Sequence, residues 1–255
     1  MLRELLAPPI LAAQFLTAVP LPLAVPAGPR QLGRSVIFFP LVGALLGLAL
    51  AGLDTALRLT LPVGVTSALV LVAGTLLTGG LHLDGLMDTC DGVFGGRTKE
   101  RRLEIMRDSR VGAYGAMAGA LQLLVKYTAL VALPADVRGT ALVAALTCGR
   151  WGMAVAMRAF PYARPEGLGR AFRDGVRWSD VGLATLLAAG MCWAALDVRS
   201  ALLLTVALVL ALAGGWWLAQ RLGGLTGDCY GAVNEVVESV VLLVLTGVAT
   251  TAVAR

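Results

Sequence analysis

Charge is scarce in this chain: Asp, Glu, Lys and Arg together make up 15% of its 255 residues, while 58% are hydrophobic. An ordinary soluble domain carries about 25% charged residues. The shortage excludes a cytosolic enzyme, a disordered chain and a nucleic-acid-binding domain. Aromatics are few as well, at 6%, whereas glycine is plentiful at 31. That balance suits helices packed closely in lipid, where small residues let backbones approach. Cysteine pairing motifs are missing. Cys90, Cys148, Cys192 and Cys229 form no C-x-x-C, which argues against a zinc site or a disulfide framework. The N-terminus does not read as a secretory leader, because Arg3 is offset by Glu4, Pro8, Pro9 and Pro20 interrupt the apolar run, and no small-x-small cleavage site follows.

What the chain does contain is long apolar stretches. Seven of them, roughly 35–53, 62–82, 112–133, 139–160, 181–197, 200–219 and 233–253, approach the length needed to cross a bilayer, about 20 residues of helix. Residues 10–19 are apolar but too few to span, and read as an interfacial or re-entrant helix. The expectation is an all-α, polytopic transmembrane bundle of about seven spans, a single integral membrane domain over 1–255. Gly43 with Gly47, and Gly115 with Gly119, form G-x-x-x-G pairs that predict tight helix contacts. Alternating the seven spans places fifteen Lys and Arg residues on one side and four on the other, with Lys126 and Arg150 inside spans. Basic residues collect in cytoplasmic loops, so the fifteen mark the cytoplasmic side and the C-terminus is predicted outside.

The same alternation puts thirteen of sixteen carboxylates on the basic side, most of them within 79–112 and 223–239. Asp84, Asp88 and Asp91 are spaced i, i+4 and i+7, which on a helix turning about 100° per residue confines them to one stripe. Like charges so placed repel unless a cation lies among them. Oxygen donors without soft ligands suit Mg²⁺ or Mn²⁺, which hold phosphate groups through one or two carboxylates. Glu104 and Asp108 repeat the i, i+4 relation, while Glu235 and Glu238 enter the last span behind Asp228. Carboxylates entering a membrane are costly and point to function, and two facing acidic clusters would make a two-metal phosphoryl-transfer site. Asp228 alternatively caps the final helix. The predicted metal residues are thus Asp84, Asp88, Asp91, Asp228, Glu235 and Glu238.

Arg107 and Arg110 flank Asp108 and Ser109 in R-D-S-R and are predicted to contact an anionic substrate, since guanidinium groups pair bidentately with phosphate. Ser109, Lys126 and Arg150 are further candidate substrate contacts; the two basic residues lie within spans, where Lys126 has a stem long enough to snorkel and Arg150 must pair with a carboxylate or line a polar cavity. His82, the one histidine, points away from the aspartate stripe on a continuous helix, although Gly79-Gly80 can break that helix.

These motifs resemble a known family. Gly79-Gly80-Leu81-His82-Leu83-Asp84-Gly85-Leu86-Met87-Asp88-Thr89-Cys90-Asp91-Gly92 with Leu103-Glu104-Ile105-Met106-Arg107-Asp108-Ser109-Arg110-Val111-Gly112 is similar to the signature of the bacterial cobalamin synthases. Gly223-Gly224-Leu225-Thr226-Gly227-Asp228 with Glu235 resembles their C-terminal motif, and Tyr162-Ala163-Arg164 also fits. Met87 stands where a smaller residue is expected. The resemblance implies an inner-membrane enzyme joining adenosylcobinamide-GDP to α-ribazole or its 5′-phosphate, with Mg²⁺, releasing GMP. In the mechanism expected for such a reaction, Asp84, Asp88 and Asp91, with Asp228 and Glu235, hold Mg²⁺, Arg107 and Arg110 contact the substrate, and the base is among Asp108, Glu104, His82 and the aspartates. Partners would be those two substrates and the lipid bilayer, with no nucleic acid.

Two other readings are open to the sequence. A CDP-alcohol phosphotransferase needs D-G-x2-A-R, yet Asp84-Gly85 is followed by Leu86-Met87-Asp88-Thr89. A transporter would use Lys126 and Arg150, but its site belongs near the midplane, whereas the acids collect at one face.

Overall fold

The computed structural model describes residues 2–253, so Arg255 of the sparsely charged side lies outside the described residues. The described chain is a bundle of helices: α1 (Leu2–Leu16), α2 (Pro29–Ser35), α3 (Phe39–Leu57), α4 (Val63–Leu77), α5 (Leu81–Gly95), α6 (Lys99–Ile105), α7 (Ala113–Ala132), α8 (Arg138–Ala159), α9 (Leu168–Gly175), α10 (Trp178–Leu196), α11 (Arg199–Leu222) and α12 (Gly227–Val253). A 3-10 turn at Val36–Phe38 joins α2 to α3. Six of these segments are long and apolar enough to cross a membrane, or seven if the bent pair α4 and α5 counts as one crossing.

That pair corrects the expectation of one continuous span over 62–82. The chain turns by 87° between α4 and α5. Gly79 and Gly80 take φ of 60° and 72° there, a left-handed conformation that costs glycine little and other residues more. The Gly80 amide returns to the Thr75 carbonyl at 2.8 Å, closing the end of α4. His82 and the three aspartates therefore begin a new helix.

α8 is the axis of the bundle, with 89% of its apolar window buried. It is wrapped by α3, α10, α11 and α12. Gly43 and Gly47 explain the closeness of α3, since a β-carbon at either position would stand 2.3 Å from the Leu146 carbonyl or 2.5 Å from the Val143 Cα. The second G-x-x-x-G pair works on α5: a β-carbon at Gly119 would meet the Met87 sulfur at 2.9 Å. Met87 thus occupies space that Gly119 leaves. The α1 helix carries Pro8 and Pro9 within it, and buries Ala7, Leu11, Ala12 and Leu16 against α2 and α3.

The connections gather at two ends. At one, Arg58 donates to the Ala135 carbonyl at 3.3 Å, and Arg138 pairs with Asp54 in the interior. At the other, Arg102 donates to the Arg221 carbonyl at 3.1 Å, while the Ala163 amide donates to the Leu225 carbonyl and the Leu225 amide to the Pro161 carbonyl, each at 2.8 Å. The second end carries the acidic motifs. Loops that the sevenfold alternation assigns to one side lie together, as they must if α4 and α5 jointly make one crossing.

Candidate active site

The site is built where α5 meets the start of α12. A β-carbon at Gly85 would lie 2.8 Å from the Asp228 carbonyl, and one at Gly231 would lie 3.0 Å from the His82 carbonyl. Two glycines, one per helix, thereby bring the α5 aspartates against Asp228. Asp84 is exposed and Asp88 half-buried, and Asp88 feels the negative charges of Asp84, Asp228 and Asp91, with Arg164 the nearby cation. The final helix is capped by Thr226, whose hydroxyl accepts from the Cys229 amide at 3.3 Å. Asp228 is thus not the cap: it accepts from Arg164 Nη2 at 3.0 Å and from the Thr226 hydroxyl at 3.2 Å. Arg164 also reaches the Met106 carbonyl, at 3.4 Å. Sequence reasoning placed Arg164 in a recognised motif without giving it a part in the site, because one loop arginine among many carries no local mark.

Asp91 shares the stripe of Asp84 but not its surroundings. It is buried, and its two oxygens accept from the Gly112 and Gly115 amides, each at 2.8 Å. Among the described residues no three His, Cys, Asp or Glu side chains stand close enough to form a ready-made metal centre. The oxygen donors of Asp84, Asp88 and Asp228 fit the other kind of site, in which Mg²⁺ takes one or two carboxylates and completes its shell with substrate phosphate. Beside Asp84 opens a pocket of about 690 Å³, walled by Phe15, Thr17, Thr78, Gly79, Gly80 and Met87. Ligand pockets run from about 300 to 1,000 Å³.

Glu235 and Glu238 do not belong to this group. At 1.5 Å per residue they lie about 10 and 15 Å along α12 from Asp228, inside the bundle. Lys126 Nζ donates to Glu235 Oε2 and Glu238 Oε2, both at 2.6 Å, and Arg150 pairs with Glu238. Gln122 reaches Glu235 at 3.0 Å and Ser239 at 2.8 Å, while Asn234 donates to Glu238 at 2.9 Å. The four charges cancel, so carboxylates predicted to hold metal instead neutralise the two basic residues predicted to hold substrate. A cavity of about 60 Å³ adjoins them, lined mostly by leucines such as Leu46, Leu130 and Leu146, with Thr75 and Thr78. It is large enough for water, which needs about 10–15 Å³ per molecule. His82 is buried, within reach of the charges of Lys126 and Arg150.

The R-D-S-R loop is exposed throughout. Arg110 binds Asp108 in a fork, at 3.0 Å from Nε and 2.6 Å from Nη2. These bonds hold the Asp108 carboxyl down at about 2, so it is a poor proton acceptor at neutral pH. Glu104 pairs with Arg101 at 2.9 Å, also in solvent. Arg107 and Ser109 lie free on the surface of the loop.

The chain matches the cobalamin-5-phosphate synthase family over residues 8–246. It is 41% identical over 242 residues to a protein of Desulforamulus reducens named adenosylcobinamide-GDP ribazoletransferase, covering 93% of this chain and 95% of that one. Proteins of the same name from Roseiflexus sp. and Geotalea daltonii are 39% and 38% identical, covering 92% and 93% of this chain and 87% and 96% of theirs. No solved structure matches it. A match across nearly the whole length, with the acidic helix, its Asp228 partner and the multi-span bundle all inside it, means that the chain belongs to the cobalamin-5-phosphate synthase family.

Proposed function

We propose that this protein transfers the cobinamide-phosphate group of adenosylcobinamide-GDP to α-ribazole or its 5′-phosphate, with Mg²⁺, at the cytoplasmic face of the inner membrane. The observation that carries the reading is the meeting of Asp84, Asp88 and Asp228, with Arg164, at the end of the bundle where the basic loops collect. That end is cytoplasmic by the rule that basic loops stay inside.

In the reaction the ribazole 3′-hydroxyl oxygen forms a bond to the phosphorus nearest cobinamide, the bridging P–O bond breaks, and GMP departs with that oxygen. The hydroxyl proton goes to a carboxylate of the Asp84, Asp88 and Asp228 group, since Asp108 is held by Arg110, Glu104 by Arg101, and His82 is buried. One or two carboxylates of Asp84, Asp88 and Asp228 would hold Mg²⁺, which when bound would neutralise pyrophosphate charge and stabilise the leaving oxygen. Arg164 keeps Asp228 turned toward α5, and Arg107 is the free guanidinium of the loop for the remaining phosphate charge. The pocket beside Asp84 supplies room and apolar walls for one substrate.

The test is GMP release by detergent-purified protein given adenosylcobinamide-GDP, α-ribazole 5′-phosphate and Mg²⁺. Release that requires the ribazole and stops with EDTA is expected. Folded protein that releases no GMP with any divalent metal refutes the proposal.

A further inference from the structure

We infer that Asp91 is a positioning residue, which fixes the 107–110 loop over the acidic helix and takes no part in holding metal. This rests on the transferase reading of the site. Neighbouring residues of α5 seat both ends of the loop. At its start, Met106 packs on Gly92 so closely that a β-carbon there would lie 2.3 Å from Met106 Cγ and 2.8 Å from the Arg102 carbonyl. At its end, the Asp91 carboxylate accepts from the amides of Gly112 and Gly115.

Gly112 is the residue preceding α7, and it offers no capping side chain of its own. The first amides of a helix lack partners within it, and a carboxylate at that end also meets the positive pole of the helix. Asp91 meets both needs from another helix. The fit is close: a β-carbon at Gly112 would stand 2.4 Å from Asp91 Oδ1, and one at Gly115 would stand 2.3 Å from Oδ2. Between the two anchors the chain has only Arg107, Asp108, Ser109, Arg110 and Val111, all exposed. Release of the Asp91 anchor leaves that stretch held at the Met106 end alone.

The experiment uses the full-length protein in detergent, comparing wild type with Asp91→Asn, which loses one acceptor, and with Gly112→Ala, which keeps the carboxylate but pushes it away. Three quantities are read: the rate of tryptic cleavage after Arg107 and Arg110, identified by mass, the KM for adenosylcobinamide-GDP, and the Mg²⁺ concentration giving half-maximal GMP release. In both variants we expect cleavage and KM to rise by about tenfold or more, with kcat and the Mg²⁺ midpoint within about twofold of wild type. A raised Mg²⁺ midpoint with wild-type cleavage in Asp91→Asn would make Asp91 a metal ligand and overturn the inference. Wild-type cleavage in both variants overturns it too. Should Asp91→Asn fail to fold, Gly112→Ala decides alone. If wild type itself releases no GMP, the transferase reading fails, while the cleavage rates still decide whether Asp91 anchors the loop.

Discussion

Replacing Lys126 by Met tests whether the buried charges hold the bundle through charge balance or through hydrogen bonding. Methionine keeps most of the stem and removes the ammonium that sits 2.6 Å from both Glu235 and Glu238. Glu238 retains Arg150 and Asn234, whereas Glu235 retains the Gln122 amide and no cation beyond the charge of Arg150, which is already paired with Glu238. The variant therefore leaves one buried carboxylate without a counter-charge of its own. Removing one partner of a buried ion pair costs about 3–5 kcal/mol, whereas hydrogen bonds between membrane helices average about 0.6 kcal/mol each. Loss of the two Lys126 bonds alone would then cost under about 2 kcal/mol, and the charge term dominates. The double variant Lys126→Met with Glu235→Gln restores neutrality and should recover most of the loss, because a buried pair replaced as a unit is often close to neutral. Both are measured by SDS-induced unfolding in mixed micelles as a double-mutant cycle. A single-variant loss below about 2 kcal/mol, or a double variant no more stable than the single, would refute the reasoning.

Three further outcomes follow from the site. Arg164→Met frees Asp228 and the Met106 carbonyl together, and should lower kcat by about 100-fold or more with partial recovery in Arg164→Lys, measured as GMP release. Gly85→Ala drives a β-carbon to 2.8 Å from the Asp228 carbonyl and should cost about 1–3 kcal/mol with a loss of activity, whereas Gly190→Ala, with nothing within 4 Å of its new carbon, should leave activity intact. The Asp108 carboxyl, held at about 2 by Arg110, has a folded value below its unfolded one. Its contribution is therefore complete above about pH 4 and lost as pH falls through about 2. Asp108→Asn should leave the neutral limb of the pH–rate profile unmoved, and a shifted limb would identify Asp108 as the base.

The helices and the location of the acids were legible in the sequence because both follow from local pattern. Apolar length marks a span, and Asp84, Asp88 and Asp91 repeat at helical spacing. The division of labour among them was not legible. Asp84 and Asp91 lie on the same side of α5, but about 10 Å apart along its axis. The start of α7 covers Asp91, whereas Asp84 borders an open pocket. The pairing of Glu235 and Glu238 with Lys126 and Arg150 likewise joins residues 88 to 112 positions apart, and no local spacing encodes which charge answers which. The 62–82 stretch misled for a related reason: its hydropathy is continuous through Gly79-Gly80, so only the backbone freedom of two glycines marks the turn.

That turn has a consequence for how the protein answers to its membrane. A bilayer that thins or thickens acts on the apolar helices within it by changing their tilt, and α4 is the more apolar arm of the bent pair. The acidic helix is joined to it through two left-handed glycines, while its long side is fastened to α12 and α7. The separation of the carboxylates follows the α5–α12 contact at Gly85 and Gly231, which lies beyond that joint. The expected consequence is that GMP release in bilayers of shorter and longer lipids stays within about twofold, because tilt of α4 does not reset the α5–α12 contact.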